Sequence, residues 1–184
     1  KCIGDQAFAF SDSLRSIVIP NSVTSIGKSA FARCTNLQSV VIPNSVTSIK
    51  WGTFSSCYNL QSVVIPNSVT SIGTFAFNDC ANLQNVVIPN SVTSIGAFAF
   101  AYCRKLQSIV IPNSVTNIGI GAFGGTELQT FTVEAQTPPA FEEGLFESIV
   151  SNVVPTIYVP AASVEKYKAA EGWKYYADKI QPIK

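Results

Sequence analysis

Apolar and polar positions alternate along this chain in a recurring 23-residue unit. The segment VVIPNSVTSIG occupies residues 63–73 and returns unchanged at residues 86–96. The Ile-Pro pair of the unit stands at residues 19–20, 42–43, 65–66, 88–89 and 111–112. A fixed period between about 20 and 50 residues indicates stacked supersecondary units rather than one globular core.

Each unit predicts two short extended segments joined by a turn. In LQSVVI at residues 37–42, the apolar pattern directs Leu37, Val40 and Ile42 toward a core and leaves the other side chains outside. Pro43 ends this strand, because proline has no backbone N–H to donate to a ladder. The NSVTSI segment that follows predicts a turn and a second strand, with its Val and Ile inward.

A glycine and a phenylalanine recur after the second strand. The glycines stand at residues 27, 73, 96 and 119. We expect each of them to allow a sharp corner, because glycine adopts backbone angles that are closed to other residues. The phenylalanines stand at residues 31, 54, 77, 100 and 123, with Phe8 as a partial first copy. Each coil is therefore expected to add one ring to a continuous internal stack.

The pattern loses its regularity toward the C-terminus. A sixth copy, LQTFTVEA at 128–135, comes one position early, and the next copy, IYVPAA at 157–162, comes three positions late. We therefore divide the chain into regular repeats (1–134), an irregular repeat with a proline-containing loop (135–156) and a terminal repeat with a capping helix (157–184).

The C-terminal segment predicts a short helix that covers the last coil. Ser163 can cap a helix that runs to about Glu171, and Gly172 can end it. The apolar side chains that would cover the coil are Val164, Tyr167 and Trp173. A solenoid needs such a cap, because an open end exposes apolar core and an unpaired strand edge.

Seven positions of the unit carry a family resemblance. They are Leu37, Val40, Ile42, Pro43, Ile49, Phe54 and Cys57. At this spacing they resemble the leucine-rich repeat proteins of the BspA-like type, which are common on gut and oral bacteria, and the resemblance covers almost the whole chain. It implies a right-handed, strand-rich solenoid with a parallel β ladder and short irregular or helical return arms.

Two further features bear on this resemblance. The standard leucine-rich repeat has an asparagine three residues past its last strand residue, where this chain has Ser45, so the resemblance does not by itself imply an asparagine ladder. The C-terminal segment also resembles the cap of such proteins from Bacteroides-like bacteria. No cap of this kind precedes Cys2-Ile3-Gly4, and we infer that the N-terminus is cut from a longer protein.

The low charge of the chain narrows the class of partner. Only 12 % of the residues are charged, 47 % are hydrophobic, and the net charge is +1. A nucleic-acid-binding protein carries a basic cluster. The sequence has none, so nucleic acid is not an expected partner. No apolar run approaches the roughly 18 residues of a membrane-spanning helix, so we expect no membrane insertion by this segment.

The cysteines form a column that suggests a metal or disulfide site at first sight. Four stand one repeat apart at positions 34, 57, 80 and 103, and Cys2 aligns instead with Ser25. A zinc site needs ligands that converge to about 2.3 Å from the metal, whereas neighbours in a straight ladder are about 4.8 Å apart. Parallel Cβ vectors also disfavour disulfides. We therefore predict buried free thiols and no metal site.

The signatures of catalysis are weak. The sequence has no histidine, so Ser-His and Cys-His nucleophile pairs are excluded. The carboxylates gather late, at Glu134, Glu142, Glu143 and Glu147, and nothing marks them as a paired glycosidase site. The glycine-rich segment 119–125 lacks the lysine of a phosphate-binding loop. We expect no enzymatic activity and no cofactor, with a glycan hydrolase as a minor alternative.

An aromatic patch on the return arms is the first candidate for a binding surface. It consists of Trp51, Phe75 and Phe98, with Tyr58 and Tyr102 beside the cysteine column. Exposed, contiguous apolar patches usually mark contact sites, and aromatic platforms serve both protein and sugar ligands. The same rings also fit a second interpretation, in which they only cover the core.

The outward face of the first strand is the alternative binding surface. Its valine stripe and the glutamines beside it are Gln38, Val41, Gln61, Val64, Gln84, Val87, Gln107 and Val110. This flat, uncharged face suits partner binding by a solenoid. It equally suits a solvated sheet, because β-branched residues favour strands.

The resemblance implies an adhesion-type interaction module for protein or extracellular-matrix ligands, secreted or displayed on the bacterial surface. A glycan ligand also fits. The main alternative is a structural spacer without a ligand of its own, because recognition usually requires variation along a face and these repeats are nearly identical. The aromatic differences among the return arms favour binding.

Overall fold

The chain folds into short strands with helical turns near its C-terminus. The computed structural model describes residues 1–141, 144–147 and 154–184. Its strands are β1 (Cys2–Ile3), β2 (Ser16–Val18), β3 (Ser25–Ile26), β4 (Ser39–Val41), β5 (Ser48–Ile49), β6 (Ser62–Val64), β7 (Ser71–Ile72), β8 (Asn85–Val87), β9 (Ser94–Ile95), β10 (Ser108–Ile111), β11 (Asn117–Ile118), β12 (Thr130–Val133), β13 (Ala140–Phe141), β14 (Thr156–Val159) and β15 (Ile180–Pro182). Its helices are α1 (Val164–Ala169) and the 3-10 helices Ala161–Ser163 and Trp173–Lys179.

The strands stack as parallel ladders on two faces of a solenoid. On the first face the order is β2-β4-β6-β8, followed by β10-β12-β14-β15. On the second face the order is β5-β7-β9-β11-β13, with the separate pair β1-β3. In the regular coils, paired residues such as Ser39 and Ser62 are 23 positions apart. The predicted parallel β-solenoid is confirmed.

The two late coils keep the ladder with altered spacing. Ser108 pairs with Thr130, one position short of the regular period, and Thr130 pairs with Thr156, three positions beyond it. Within the proline-containing segment, β13 pairs with β11, so the second ladder also continues. The irregular positions seen in the sequence are therefore real coils of the solenoid. Glu142 and Glu143 lie outside the described residues, and the division into three segments stays a prediction.

The alternation of the first strand separates core from surface as predicted. Leu37, Val40 and Ile42 are between 0 % and 2 % exposed, whereas Val41 between them is 60 % exposed. Strand side chains alternate between the two sides of a sheet, so one side lines the core and the other faces solvent.

A column of phenylalanine rings runs through the core. The rings belong to Phe8, Phe31, Phe54, Phe77, Phe100 and Phe123. Successive ring centroids are 5.2–5.5 Å apart and the planes are within 10° of parallel. The column ends where Phe123 meets Phe131 edge-on, at 5.2 Å and 70°. The predicted internal stack is confirmed.

The expected reason for the recurring glycines is wrong. None of Gly27, Gly73, Gly96 and Gly119 has a positive φ. A Cβ on Gly73 would instead lie 2.8 Å from the carbonyl oxygen of Ile49 in the preceding coil. At these four glycines two backbones approach closely, and a Cβ would collide with the preceding coil, whereas Lys50 holds the same position of another coil. The backbone angle does not require glycine.

Side-chain ladders bond neighbouring coils at both turns. At the position where the standard repeat has asparagine, the hydroxyls of Ser45, Ser68, Ser91 and Ser114 donate to carbonyl oxygens of the preceding coil at 2.5–2.7 Å. Asparagines do form a ladder elsewhere, directly before the core leucine. There the Nδ2 groups of Asn36, Asn59 and Asn82 donate to carbonyl oxygens of the preceding coil at 2.8–2.9 Å.

The C-terminal cap is shorter than predicted and is held differently. Helix α1 ends at Ala169 instead of near Glu171, and Ser163 makes no side-chain cap bond because it already ends a 3-10 turn. Tyr167 and Trp173 are fully buried, as predicted. The Tyr167 hydroxyl donates to the Ala135 carbonyl oxygen at 2.7 Å, and β15 pairs with β14 to close the ladder.

Candidate interaction surfaces

Three aromatic side chains of the return arms form one cluster on the surface. Trp51 is 50 % exposed and meets Phe75 edge-on, with ring centroids 5.8 Å apart. Phe75 and Phe98 stack at 5.2 Å with planes 9° apart. We call Trp51, Phe75 and Phe98 the aromatic row. The predicted proximity of these rings is confirmed, and whether they bind a ligand stays a prediction.

The two phenylalanines of the aromatic row have an unfavourable backbone conformation. Phe75 has φ of 57° and Phe98 has φ of 54°. The same position of other coils also has positive φ, and there it holds Gln6, Ser29, Gly52 and Gly121. A residue with a Cβ costs about 1–2 kcal/mol in this left-handed region. The coil therefore dictates the angle, and glycine suits it better than phenylalanine.

Hydrogen bonds and one glycine fix where the row lies. The Phe75 amide donates to the Ala97 carbonyl oxygen, and the Phe98 amide donates to that of Ile120, both at 2.9 Å. A Cβ on Gly121 would lie 2.5 Å from Cε1 of Phe98, so the Phe98 ring covers this glycine. The row therefore ends against Gly121, which leaves the space that the ring fills.

Tyr58 and Tyr102 do not join the aromatic row. Among the described residues, neither makes a ring contact with Trp51, Phe75 or Phe98. Tyr58 instead lies beside Asp79, whose pKa is raised because burial disfavours the charged carboxylate. The positive charge of Arg104 and a hydrogen bond with the Tyr58 side chain both act in the opposite direction and lower this pKa. The sequence placed the two tyrosines beside the cysteine column, and they stay separate from the aromatic row in the described structure.

The cysteine column lies in the core and makes hydrogen bonds. Cys34, Cys57, Cys80 and Cys103 are fully buried, as predicted. Each Sγ donates to the carbonyl oxygen of a phenylalanine of the ring column in the preceding coil, at 3.1–3.3 Å. Burial raises the pKa of the Cys57 thiol to about 12. The constant 26-residue offset between each cysteine and its phenylalanine follows from the period alone, so the sequence carries no separate signal for these bonds.

The valine stripe on the sheet face is exposed and longer than predicted. Its valines Val18, Val41, Val64, Val87 and Val110 are 47–90 % exposed. Register extends the stripe to Thr132, which pairs with Val110, and to Tyr158, which pairs with Thr132. The sequence missed this extension because the spacing of the last coils departs from the regular period.

Metal-ligand clusters and membrane-spanning helices are both missing from the described residues. In that part of the chain, no group of three or more His, Cys, Asp or Glu side chains is placed to hold a metal ion. Of the helices described there, none is long and apolar enough to cross a membrane.

The fold and the recurring unit define a leucine-rich repeat solenoid, and comparison with known proteins gives the family. The family described as the BspA type leucine rich repeat region matches residues 1–129 and 36–153, in six copies. The chain therefore belongs to the BspA-type leucine-rich repeat family. No curated protein matches it significantly.

Solved structures with the same fold come from several bacteria. A leucine-rich repeat protein from Bacteroides ovatus superposes with a TM-score of 0.74 at 27% identity, over 86% of this chain and 46% of that one. The leucine-rich repeat protein of T. pallidum gives 0.70 at 29% identity, over 97% and 75%. One from Eubacterium ventriosum gives 0.63 at 34% identity, over 67% and 34%. The chain thus spans less than half of two of these relatives.

Proposed function

We propose that this chain is a non-enzymatic interaction module, secreted or displayed on a bacterial surface, whose aromatic row binds a protein ligand in adhesion. Membership of the BspA-type family supports an interaction role. The aromatic row lies on the return arms, where the coils differ more than they do along the strands. It is also uncharged, so binding there depends on burial of apolar area.

The backbone conformation of Phe75 and Phe98 is the observation that carries this proposal. Other coils fill the same position with glycine, serine or glutamine and keep the same angle. The fold therefore does not need a ring there, and two half-buried rings are retained despite a conformational cost. The angle itself recurs in every regular coil, so the support for a function comes from the presence of phenylalanine at an angle that favours glycine.

The ring arrangement favours apolar side chains of a protein over stacked sugars. Phe75 stacks face to face on Phe98 and makes an edge contact with Trp51. A sugar ring that stacks on an aromatic side chain needs a free ring face, whereas apolar side chains pack well against ring edges. Trp51, which is 50 % exposed, supplies most of the accessible aromatic surface.

A spacer without a ligand is the second candidate. The unchanged segments at 63–73 and 86–96 support it, because identical coils present identical surfaces. In that case the rings of the aromatic row only shield the return arms.

The test compares binding of two variants to an array of extracellular-matrix proteins and host or microbial glycans. The row variant is Trp51→Ala/Phe75→Gly/Phe98→Gly, in which glycine keeps the left-handed backbone. The matched control is Val18→Thr/Val41→Thr/Val64→Thr on the sheet face. We expect saturable binding to a protein that only the row variant loses. Binding lost only in the control would move the site to the valine stripe, and no binding by the parent chain would favour the spacer.

A further inference from the structure

The β ladder on the first face is interrupted between two neighbouring coils. Strand β8 ends one group of paired strands and β10 begins the next, and no pairing joins them within the described residues. Neighbouring coils on either side are bonded, β6 to β8 and β10 to β12. The break therefore falls in the regular part of the array, where the sequence predicts an uninterrupted ladder.

The amide groups before the strands show the same break. The N–H groups of Gln38, Gln61 and Gln84 each donate to a carbonyl oxygen of the preceding coil, at 2.9–3.1 Å. The equivalent N–H of Gln107 makes no such bond to the described residues. Val87, beside the break, is 77 % exposed, against 58 % for Val64 one coil earlier. Backbone donors and acceptors of both strands thus face an open groove.

The rest of the coil interface stays closed. On the second face, Thr116 donates to the Thr93 carbonyl oxygen at 2.9 Å and Gly119 donates to that of Ile95 at 2.8 Å. Cα atoms of β8 and β10 also remain within 8 Å of each other. A peptide strand inserted between them would need about two ladder spacings, roughly 9.5 Å. The groove therefore cannot accept a third strand, and its polar groups must be met from outside.

The lining of the groove is polar, with an apolar floor. The groove has a volume of about 780 Å³. Its polar side chains include Asn67, Asn85, Asn90, Ser91 and Ser108. Glu134 is the one charged side chain in the lining, and all lining residues are described. Amides and hydroxyls both donate and accept hydrogen bonds, while the valine and proline side chains offer apolar contact.

We propose that the groove between β8 and β10 binds a neutral oligosaccharide. Sugar hydroxyls donate and accept, which matches the amides, hydroxyls and unpaired backbone groups of the groove. An anionic ligand finds no cation in this lining and meets Glu134. Unpaired backbone groups cost free energy when desolvated without partners, so hydroxyls that replace water there must make hydrogen bonds. This site is separate from the aromatic row and does not depend on it.

Amide hydrogen exchange of the free protein tests whether strand pairing is missing between β8 and β10. We expect the Gln107 amide to exchange at least tenfold faster than the amides of Gln61 and Gln84. Equal protection of all three would mean that the ladder is closed, and would overturn the proposal.

The binding itself is tested by calorimetry with neutral gluco-, xylo- and galacto-oligosaccharides of three to six units, beside oligogalacturonate as an anionic probe. The groove variant is Asn85→Ser/Asn90→Ala, in which serine restores the residue of the neighbouring coils. The matched control is Asn44→Ala, an equivalent asparagine outside the groove. We expect a neutral probe to bind, with at least tenfold weaker affinity in the groove variant and no change in the control or the row variant. No neutral binding, stronger binding of oligogalacturonate, or equal loss in the control would each overturn the proposal.

Discussion

Replacing Phe75 by glycine separates a structural role of the aromatic row from a binding role. The change removes a half-buried ring at φ of 57° and its contacts with Trp51 and Phe98. Glycine has no Cβ, so it removes the cost of the left-handed conformation and stabilises the folded state by about 1–2 kcal/mol. Each lost aromatic pair costs about 0.5–1.5 kcal/mol beyond its area. Two such pairs cost about 1–3 kcal/mol, and the apolar area lost with a half-buried ring adds about 1 kcal/mol, so we expect the free energy of unfolding to fall by about 1–2 kcal/mol overall.

Two comparison variants make the expected result specific. Phe77→Ala removes a fully buried ring from the core stack and should cost about 3–5 kcal/mol. Phe75→Ala removes the same ring as Phe75→Gly but keeps a Cβ in the left-handed region. It should therefore be about 1 kcal/mol less stable than the glycine variant.

Urea unfolding followed by circular dichroism measures all three variants. The expected order of stability is Phe75→Gly, then Phe75→Ala, then Phe77→Ala. If Phe75→Gly is destabilised as much as Phe77→Ala, the ring is a structural element. The reasoning that assigns the aromatic row to binding then fails.

Three further predictions concern the coil interfaces and the cap. Gly96→Ala places a Cβ against the backbone of Thr74 and should destabilise the fold by about 1–3 kcal/mol in urea, whereas Lys50→Gly in the same column, which loses the Lys50 hydrogen bond to Ser25, should cost no more than about 1 kcal/mol. The Cys57 pKa is raised to about 12, so unfolding releases its proton above pH 9; stability should fall from pH 9 to 12, less steeply in a Cys57→Ala variant measured by thermal unfolding. Trp173→Phe removes the indole donor to the buried carbonyl oxygen of Pro139 and should lower the free energy of unfolding by about 1–3 kcal/mol. Hydrogen exchange in β15 should become faster. Unchanged exchange would mean that this contact of the cap does not stabilise the last strand.

The repeating parts of the fold could be predicted because they depend on local rules. Period, strand alternation and the phenylalanine stack follow from residues that meet their own copies one coil away. The glycine column was located correctly but explained wrongly, because the close approach of Gly73 to Ile49 depends on coil spacing that the sequence does not state. An end point such as Ala169 depends on how the cap packs.

The candidate sites were less accessible to sequence reasoning. The contact of Trp51 with Phe75 could be anticipated from neighbouring columns. The positive φ of Phe75 could not, because phenylalanine is a poor signal for that conformation. The break between β8 and β10 falls between two nearly identical coils, and Asn85, where the neighbouring coils have serine, does not by itself predict a break.

The bonding of each coil only to its neighbours has a consequence for how such arrays change in evolution. Excision of one 23-residue unit between the identical segments at 63–73 and 86–96 would rejoin the chain in register. The same hydroxyls, thiols and rings would meet again across the new junction. Near-identical coding repeats are also prone to unequal recombination. The length of the solenoid can therefore change by whole coils. Each coil added or lost changes it by about 5.4 Å, the distance between stacked rings.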